Sequence, residues 1–155
     1  MFSQTAEYAL RAVVWLADGE GQERLGVKQI AEGTKVPPSY LSKVLQSLTR
    51  AEIVSSRRGV GGGHRLTRLP RDITVLEVIQ AVDPIQRIRG CPLGLESHRG
   101  RLCGMHARLD QALALVEETL GQSTIADILE TPERPLPMRE STWRRIASSD
   151  AETSD

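Results

Sequence analysis

Both cysteines and two of the three histidines lie in one glycine-containing segment, with the spacing Cys91-x6-His98-x4-Cys103-x2-His106. Thiolate and imidazole groups bind zinc and anchor iron–sulfur clusters, so this segment is a candidate metal or cluster site. Histidine ligation raises the reduction potential of an iron–sulfur centre, which would suit a redox sensor. The alternative is a metal-free segment, in which the two thiols are free or form a reversible disulfide under oxidation.

A second group of residues could bind a polyanion. Arg57 and Arg58 open a loop that contains four glycines between positions 59 and 63, and the segments 53–56 and 64–67 on either side are predicted to be short strands. Glycine allows left-handed backbone angles, so the pattern predicts a hairpin whose backbone approaches a ligand closely. His64 begins the second strand and is expected to be structural or to face the ligand.

Two short helices are predicted before this hairpin, over about 27–33 and 38–50, with a turn between them that ends in Pro37-Pro38. Proline is well suited to the first helical turn. Two helices joined by a tight turn form a helix-turn-helix, and a glycine-rich basic hairpin that follows at once makes it a winged helix, in which a helix enters the major groove of DNA. The residues expected to contact DNA are Lys28, Ser39, Tyr40, Ser42, Lys43, Arg57, Arg58, Gly59, Gly62 and His64. The alternative for Tyr40 is a ring packed under the turn, and Arg65 and Arg68 are compatible with a solvated strand face.

The charge distribution agrees with a DNA-binding first half of the chain. The chain is formally neutral, with 20 basic and 20 acidic residues, but residues 1–71 carry a net charge of +5 and residues 72–155 a net charge of −5. Between 35 and 71 the only acid is Glu52. A basic half joined to an acidic half indicates a nucleic-acid-binding part and a part with another role, although an uneven solvated surface gives the same numbers.

The longest predicted helix covers about 104–121. Apolar or small residues recur along it at spacings of three and four, namely Leu102, Met105, Leu109, Ala112, Val116 and Thr119. This is the spacing of a two-helix coil, and because it extends over less than three heptads, a packing face within one chain is the alternative to a homodimer contact. A symmetric DNA-binding protein needs such a helix, which favours the homodimer.

The fold class expected is mainly α with a small β-hairpin wing, in four parts. These are a winged helix-turn-helix domain at 1–83, a sensor or cluster loop at 84–103, a dimerisation helix and a short helix at 104–130, and a flexible tail at 131–155 in which Trp143 could dock.

Several functional classes are excluded by composition and motif. No apolar run approaches the roughly 18 residues of a membrane helix, and the N-terminal segment lacks the basic region of a signal peptide, so we expect a cytoplasmic protein with no membrane partner. No carboxylate is placed to activate water beside a metal, and the glycine run joins two strands instead of opening a helix, as a P-loop does, so we expect no enzymatic activity.

Three blocks of sequence resemble a known family: AEYALRAVVWLA, QIAEGTKVPPSYLSKVLQSLTRAEIVSSRRGVGGGHRLTR and ITVLEVIQAVD. They are similar to the Rrf-two family of winged-helix bacterial transcription regulators, the group of IscR, NsrR and CymR, over roughly residues 2–129. The most specific element is S-Y-L followed by R-G-x-G-G-G. The resemblance implies a homodimer on a palindromic operator, acting most simply as a repressor. It implies that Ser39, Tyr40 and Lys43 contact DNA from the recognition helix and that Arg58 enters the minor groove with the loop from Gly59 to Gly63.

The resemblance also implies a sensor in the cysteine-containing loop. Relatives hold an iron–sulfur cluster there, of 2Fe-2S or 4Fe-4S type, usually with three cysteines and a fourth ligand from elsewhere, whereas this chain has two cysteines. A cluster here would need histidine or carboxylate ligands, and Glu7 occupies the position from which some relatives supply one. Where some relatives have an acidic discriminator in the recognition helix, this chain has Ser42. The alternatives are zinc, or a cluster-free regulator controlled by a protein partner or a small ligand.

Overall fold

A computed structural model describes residues 2–18, 24–131 and 137 of the protein. Over these residues the chain is mainly helical, with one two-stranded antiparallel sheet, so the predicted fold class is confirmed. The elements are α1 (Gln4–Ala17), α2 (Val27–Thr34), α3 (Pro38–Arg50), β1 (Val54–Arg57), β2 (Gly63–Leu66), α4 (Val75–Val82), α5 (Gly104–Gln122) and α6 (Ile125–Leu129). Short 3-10 turns occupy Pro70–Asp72 and Glu96–His98.

Helix α1 lies at the centre of the core and packs against α2, α3, α4 and α6. Its buried face carries Ala6, Ala9 and Ala12, which have no exposed surface. Such small side chains let neighbouring helices approach closely, and larger residues fill the space around them. The largest fully buried side chains are Ile30, Leu41, Leu45, Leu48, Ile53, Ile73, Ile79 and Ile125. Each contributes roughly 1.5–3 kcal/mol of transfer free energy.

Local sequence signals set the helix boundaries. The Ser3 side chain accepts the N–H of Ala6 at the start of α1, and Thr74 and Thr124 each form a reciprocal capping box, with Glu77 and Asp127 respectively. Lys35 ends α2 in the left-handed conformation, at φ 56°, and turns the chain toward α3. Trp143, which could dock from the tail, lies outside the described residues.

The wing is a hairpin in which Val54 pairs with Leu66 and Arg57 with Gly63. Each strand lies one residue away from its predicted position. The reason is that the Ile53 N–H donates to the carbonyl of Leu48 and completes the end of α3, so the strand begins one residue later. Leu25 adds a third strand segment, because it exchanges both backbone hydrogen bonds with His64 at 2.9 and 2.8 Å.

Helix α5 lies at the edge of this core: none of its residues is fully buried, although Leu120 packs against the core. Its C-terminal end is held by α6, whose first residue, Ile125, donates its N–H to the carbonyl of Ile73, while Val75 donates to the carbonyl of Ser123. Within the part of the chain that the structure describes, no helix is both long and apolar enough to cross a membrane.

Candidate functional site

The residues predicted on the recognition helix share one exposed surface. Ser39, Tyr40, Ser42 and Lys43 are all exposed on α3, and Lys28 is exposed on α2. The opposite face of α3 is buried through Leu41, Val44, Leu45 and Leu48. The amphipathic pattern of the helix therefore fixes which side chains are available to a ligand.

The Tyr40 ring is half exposed, and its position is fixed by two contacts. It meets the ring of Tyr8 edge to face, with centroids 6.2 Å apart, and the Lys43 ammonium lies 5.8 Å from its centroid. Arg11, whose guanidinium lies 5.7 Å from the Tyr8 centroid, extends this stack. Sequence reasoning did not identify Tyr8, because one tyrosine on the first helix carries no signal of a contact with a residue far along the chain.

The wing tip is a tight turn between two exposed arginines and β2. Gly59 and Gly61 have φ angles of 89° and 69°, a region that favours glycine. The Gly62 N–H donates to the Gly59 carbonyl at 2.9 Å. A Cβ atom on Gly62 would lie 2.4 Å from the carbonyl oxygen of Arg57, so no side chain fits there. Arg57 and Arg58 remain exposed at the base of this turn.

The base of the wing is held by residues that the sequence did not indicate. Arg24 donates from Nη1 to the Gly63 carbonyl at 3.1 Å. Arg68 pairs with Glu77 at 2.9 Å and donates to the Asp72 carbonyl, so it ties the segment after β2 to α4. Arg65 is exposed.

His64 is partly buried beneath the wing, and its Nδ1 has no hydrogen-bond partner among the described residues. Burial, and then the positive charge of Arg24, lower the pKa of His64 below its ordinary value of 6.5. A neutral imidazole supplies no positive charge to a phosphate, so the surroundings of His64 favour the structural role over the ligand-facing one.

The depressed pKa of His64 predicts a pH-dependent stability. The unfolded chain binds the proton more readily, so the free energy of unfolding is level above pH 6.5 and falls as the pH drops toward the pKa of the folded state. The slope contributed by this one group is at most about 1.4 kcal/mol per pH unit. We expect urea unfolding of the wild type between pH 7.5 and 5.5 to show a larger loss than that of His64→Gln. An identical pH dependence in the two proteins would contradict this.

The structure joins the four thiol and imidazole residues in two separate pairs. The Cys91 Sγ lies 3.3 Å from His98 Nδ1, and the Cys103 Sγ lies 3.3 Å from His106 Nδ1. The cysteines are half-buried and are not linked by a disulfide. His98 and Cys103 both line an open pocket of about 390 Å³, together with Ser97, Arg101 and Leu102.

Cys91 has the surroundings of a thiolate. The backbone N–H of Leu95, and then the His98 side chain, lower the pKa of the Cys91 thiol below its ordinary value. A thiolate is the form that reacts with oxidants and binds soft metals. The lowered pKa therefore increases the fraction of Cys91 that is present as thiolate at a given pH.

A network of ion pairs anchors the start of the loop to α5. Arg87 makes a bidentate pair with Asp110, at 2.7 and 2.6 Å, and a further contact to Glu117 at 3.1 Å. Asp110 also accepts the Ile88 N–H at 2.9 Å, and Glu117 accepts from Gln80 at the end of α4. The Arg87 pairing lowers the pKa of the Asp110 carboxyl. Because Cys103 lies just before α5, both ends of the loop are attached to the same helix.

Removing this anchor should expose the loop. We expect Arg87→Gln to increase the rate at which Cys91 and Cys103 react with a thiol reagent such as dithiobisnitrobenzoate, since Ile88 and the residues after it lose their attachment to Asp110. Arg89→Gln removes the same charge from an exposed neighbouring arginine and should leave the rate unchanged. Equal reaction rates in the two variants would show that the ion pairs do not restrain the loop.

The donor atoms have the right chemistry for a metal, but their arrangement in one chain is incomplete. Among the described residues, no three histidine, cysteine or acidic side chains form a group that could hold a metal ion. Glu7, predicted as a possible additional ligand, forms an ion pair with Arg11 on α1 instead. The positions of these side chains therefore do not fit an iron–sulfur cluster held within one chain.

Comparison with known proteins identifies the family. The family model described as "Rrf2: Iron-dependent Transcriptional regulator" matches residues 2–131. The chain is 30% identical over 125 residues to the HTH-type transcriptional regulator NsrR of Bacillus licheniformis, covering 79% of this chain and 87% of that protein. Its fold is similar to that of T. potens IscR, with a TM-score of 0.69, 28% identity and coverage of 86% and 88%, respectively. It is also similar to that of CymR of B. subtilis, with a TM-score of 0.68, 24% identity and coverage of 82% and 94%. These relatives are regulators and not enzymes, and the chain belongs to the Rrf2 family of transcriptional regulators.

Proposed function

We propose that this protein is a homodimeric repressor that binds palindromic operators and whose affinity depends on the chemical state of the loop 84–103. The observation that carries the proposal is the row of exposed polar and basic side chains on α3, together with the exposed Arg57 and Arg58 at the base of the wing. Exposed polar and basic side chains on α3 are suited to the edges of bases in the major groove, and the wing adds two exposed arginines. The proposed DNA contacts are Lys28, Ser39, Tyr40, Ser42, Lys43, Arg57, Arg58, Gly59 and Gly62.

The outward face of α5 supports the dimer. Met105, Leu109 and Leu115 are 62%, 51% and 63% exposed, and Ala112 and Thr119 are exposed on the same side. The opposite side of α5 carries Asp110 and Glu117, which are already engaged with Arg87. One side of α5 is thus apolar and exposed, while the acidic residues on its other side are paired within the protomer. This arrangement is typical of a helix that packs on a second copy of itself.

The two cysteine-histidine pairs support a sensing role for the loop. Both thiols are partly accessible, and one has a lowered pKa. Oxidation of a thiol, or capture of a metal, would change the charge and hydrogen bonding of a segment that is attached to α5 at both ends. A change in that segment acts on the helix that we propose to join the two DNA-binding domains.

The DNA-binding part of the proposal is tested by selection from a random pool of duplex DNA. We expect enrichment of a two-fold symmetric sequence with half-sites about 34 Å apart, or a multiple of that spacing. Lys43→Ala and Arg58→Ala should weaken binding, and each lost phosphate contact should reduce the slope of affinity against salt by roughly 0.9. Arg89→Ala is the matched control. Selection of no sequence, or of an asymmetric one, would overturn the proposal.

The sensing part is tested on protein purified without oxygen. Iron, acid-labile sulfide, zinc and free thiols are measured on one sample, and operator affinity is measured before and after oxidation and metal removal. We expect operator affinity to differ between these states, and Cys91→Ala or Cys103→Ala to abolish the difference. A protein that binds the operator equally well in every state would show that the loop is not a sensor.

A further inference from the structure

We propose that Val60, at the tip of the wing, is an apolar contact to the deoxyribose walls of the minor groove and makes the wing selective for A·T base pairs. This inference rests on the proposed DNA-binding function. It adds a residue that supplies selectivity without charge, next to the arginines that supply affinity.

The backbone holds Val60 in one position. The hydrogen bond from the Gly62 N–H to the Gly59 carbonyl closes a four-residue turn in which Val60 is second and Gly61 is third. A positive φ at the third residue, here 69°, is the mark of a type II turn. Because Gly62 has no room for a side chain, the turn cannot readily be rebuilt with another residue there.

The side chain of Val60 does not pack against the core of the protein. It is fully exposed, whereas the valines on either side of it in the sequence, Val54 on β1 and Val75 on α4, are buried. A solitary exposed valine has little meaning on an ordinary surface. Here it is fully exposed in a restrained turn, between two glycines that place no side chain beside it.

The charges around the tip indicate which partner it meets. Arg57 and Arg58 precede the turn and are exposed, and the sequence between 53 and 71 contains no acidic residue. A cationic hairpin with an apolar tip is poorly suited to an apolar protein surface, where the arginines would lose solvent without a counter-charge. It is well suited to a groove with phosphates on both rims and sugar carbons on its walls.

The choice of A·T pairs follows from the shape of the minor groove. A G·C pair places the guanine N2 amino group on the floor of that groove, where an apolar side chain would leave it without a partner. Runs of A·T pairs have a narrower groove and a more negative potential, which attracts arginine. The charge of Arg58 and the apolar side chain of Val60 therefore both favour A·T pairs.

The base of the hairpin is rigid enough to transmit this selectivity. The backbone of His64 is bonded in both directions to Leu25, and Arg24 holds the Gly63 carbonyl. A tip on a restrained hairpin meets the groove at a defined depth, so a mismatch of shape costs affinity and is not relieved by movement of the wing.

The experiment uses the duplex selected by the full-length protein, in two versions that differ only in the base pairs that the wing protects from hydroxyl radicals. The wild type should bind the A·T version roughly tenfold more tightly than the G·C version. Val60→Gly should reduce that ratio to about twofold. Val60→Pro, which suits the second position of a type II turn and keeps an apolar side chain, should retain the preference.

The salt dependence separates this contact from the electrostatic ones. Val60→Gly should leave the slope of affinity against salt unchanged, whereas Arg58→Ala should reduce it. A Val60→Gly protein that keeps the full A·T preference would overturn the inference, and so would one that alters transcription while binding both duplexes as the wild type does, because the tip would then contact a protein. If the wild type selects no duplex at all, it is the proposed function that fails.

Discussion

Replacing Leu109 with glutamate is expected to produce a folded monomer that no longer binds the operator with useful affinity. Leu109 is half exposed at the centre of the apolar stripe of α5 and touches none of the protein's buried core, so the isolated protomer tolerates the change. In the proposed dimer the carboxylate would be buried against a second helix without a partner, at a cost of several kcal/mol. A monomer engages one half-site only, and we expect an operator affinity at least 100-fold lower.

Sedimentation velocity gives the assembly state, circular dichroism shows that the helices remain, and fluorescence anisotropy measures operator binding. Gln111→Glu adds the same charge on an exposed position of α5 that lies off the apolar stripe, and it should remain dimeric. A dimeric Leu109→Glu protein with unchanged operator affinity would show that α5 is not the dimer contact.

Replacing Gly63 with alanine is expected to destabilise the wing through both backbone strain and a steric clash. Gly63 has a φ of 129°, which L-residues rarely adopt, and its added Cβ would lie 2.8 Å from the carbonyl oxygen of Leu25. Backbone strain and this clash act together, so we expect a loss of about 3 kcal/mol in the free energy of unfolding. The two backbone hydrogen bonds between Leu25 and His64 would break, and the wing would lose the support that they give.

Gly61→Ala is the control, because Gly61 also has a positive φ, at 69°, but a Cβ there would meet open space. We expect it to cost only about 1 kcal/mol. Chemical unfolding compares the two variants, and operator binding at a temperature where both are folded shows whether the wing still functions. Equal stabilities would mean that the approach of Leu25 to Gly63 is not a structural constraint.

Local signals accounted for most of the fold. Pro37-Pro38 placed the start of α3, the three- and four-residue spacing along 104–121 predicted α5, and the glycine run at 59–63 predicted the hairpin. These features depend on residues within one or two helical turns of each other, so they can be read from the sequence. The shift of the first strand by one residue was not predicted, because it depends on a hydrogen bond from Ile53 back to α3.

The contacts that position the functional residues could not be predicted from local sequence signals. Arg87 and its partners Asp110 and Glu117 are separated by 23 and 30 residues, and an ion pair at such a distance leaves no periodic trace in the sequence. The same holds for the edge-to-face contact of Tyr8 with Tyr40. The spacing of the cysteines and histidines indicated that metal chemistry was possible there. The course of an irregular loop decides that Cys91 meets His98, whereas Cys103 meets His106 across the first turn of α5.

The absence of buried residues on α5 has a consequence for how the protein would respond to its own abundance. Within the described residues, α5 contributes no fully buried side chain to the core of the protomer, so folding and the proposed association are expected to be separate equilibria. If the dimer dissociates at cellular concentrations, operator occupancy at low abundance rises with the square of the amount of protein, because two folded protomers must meet before either can hold a full site. A modest change in synthesis or degradation would then switch the regulated gene over a narrow range of concentrations.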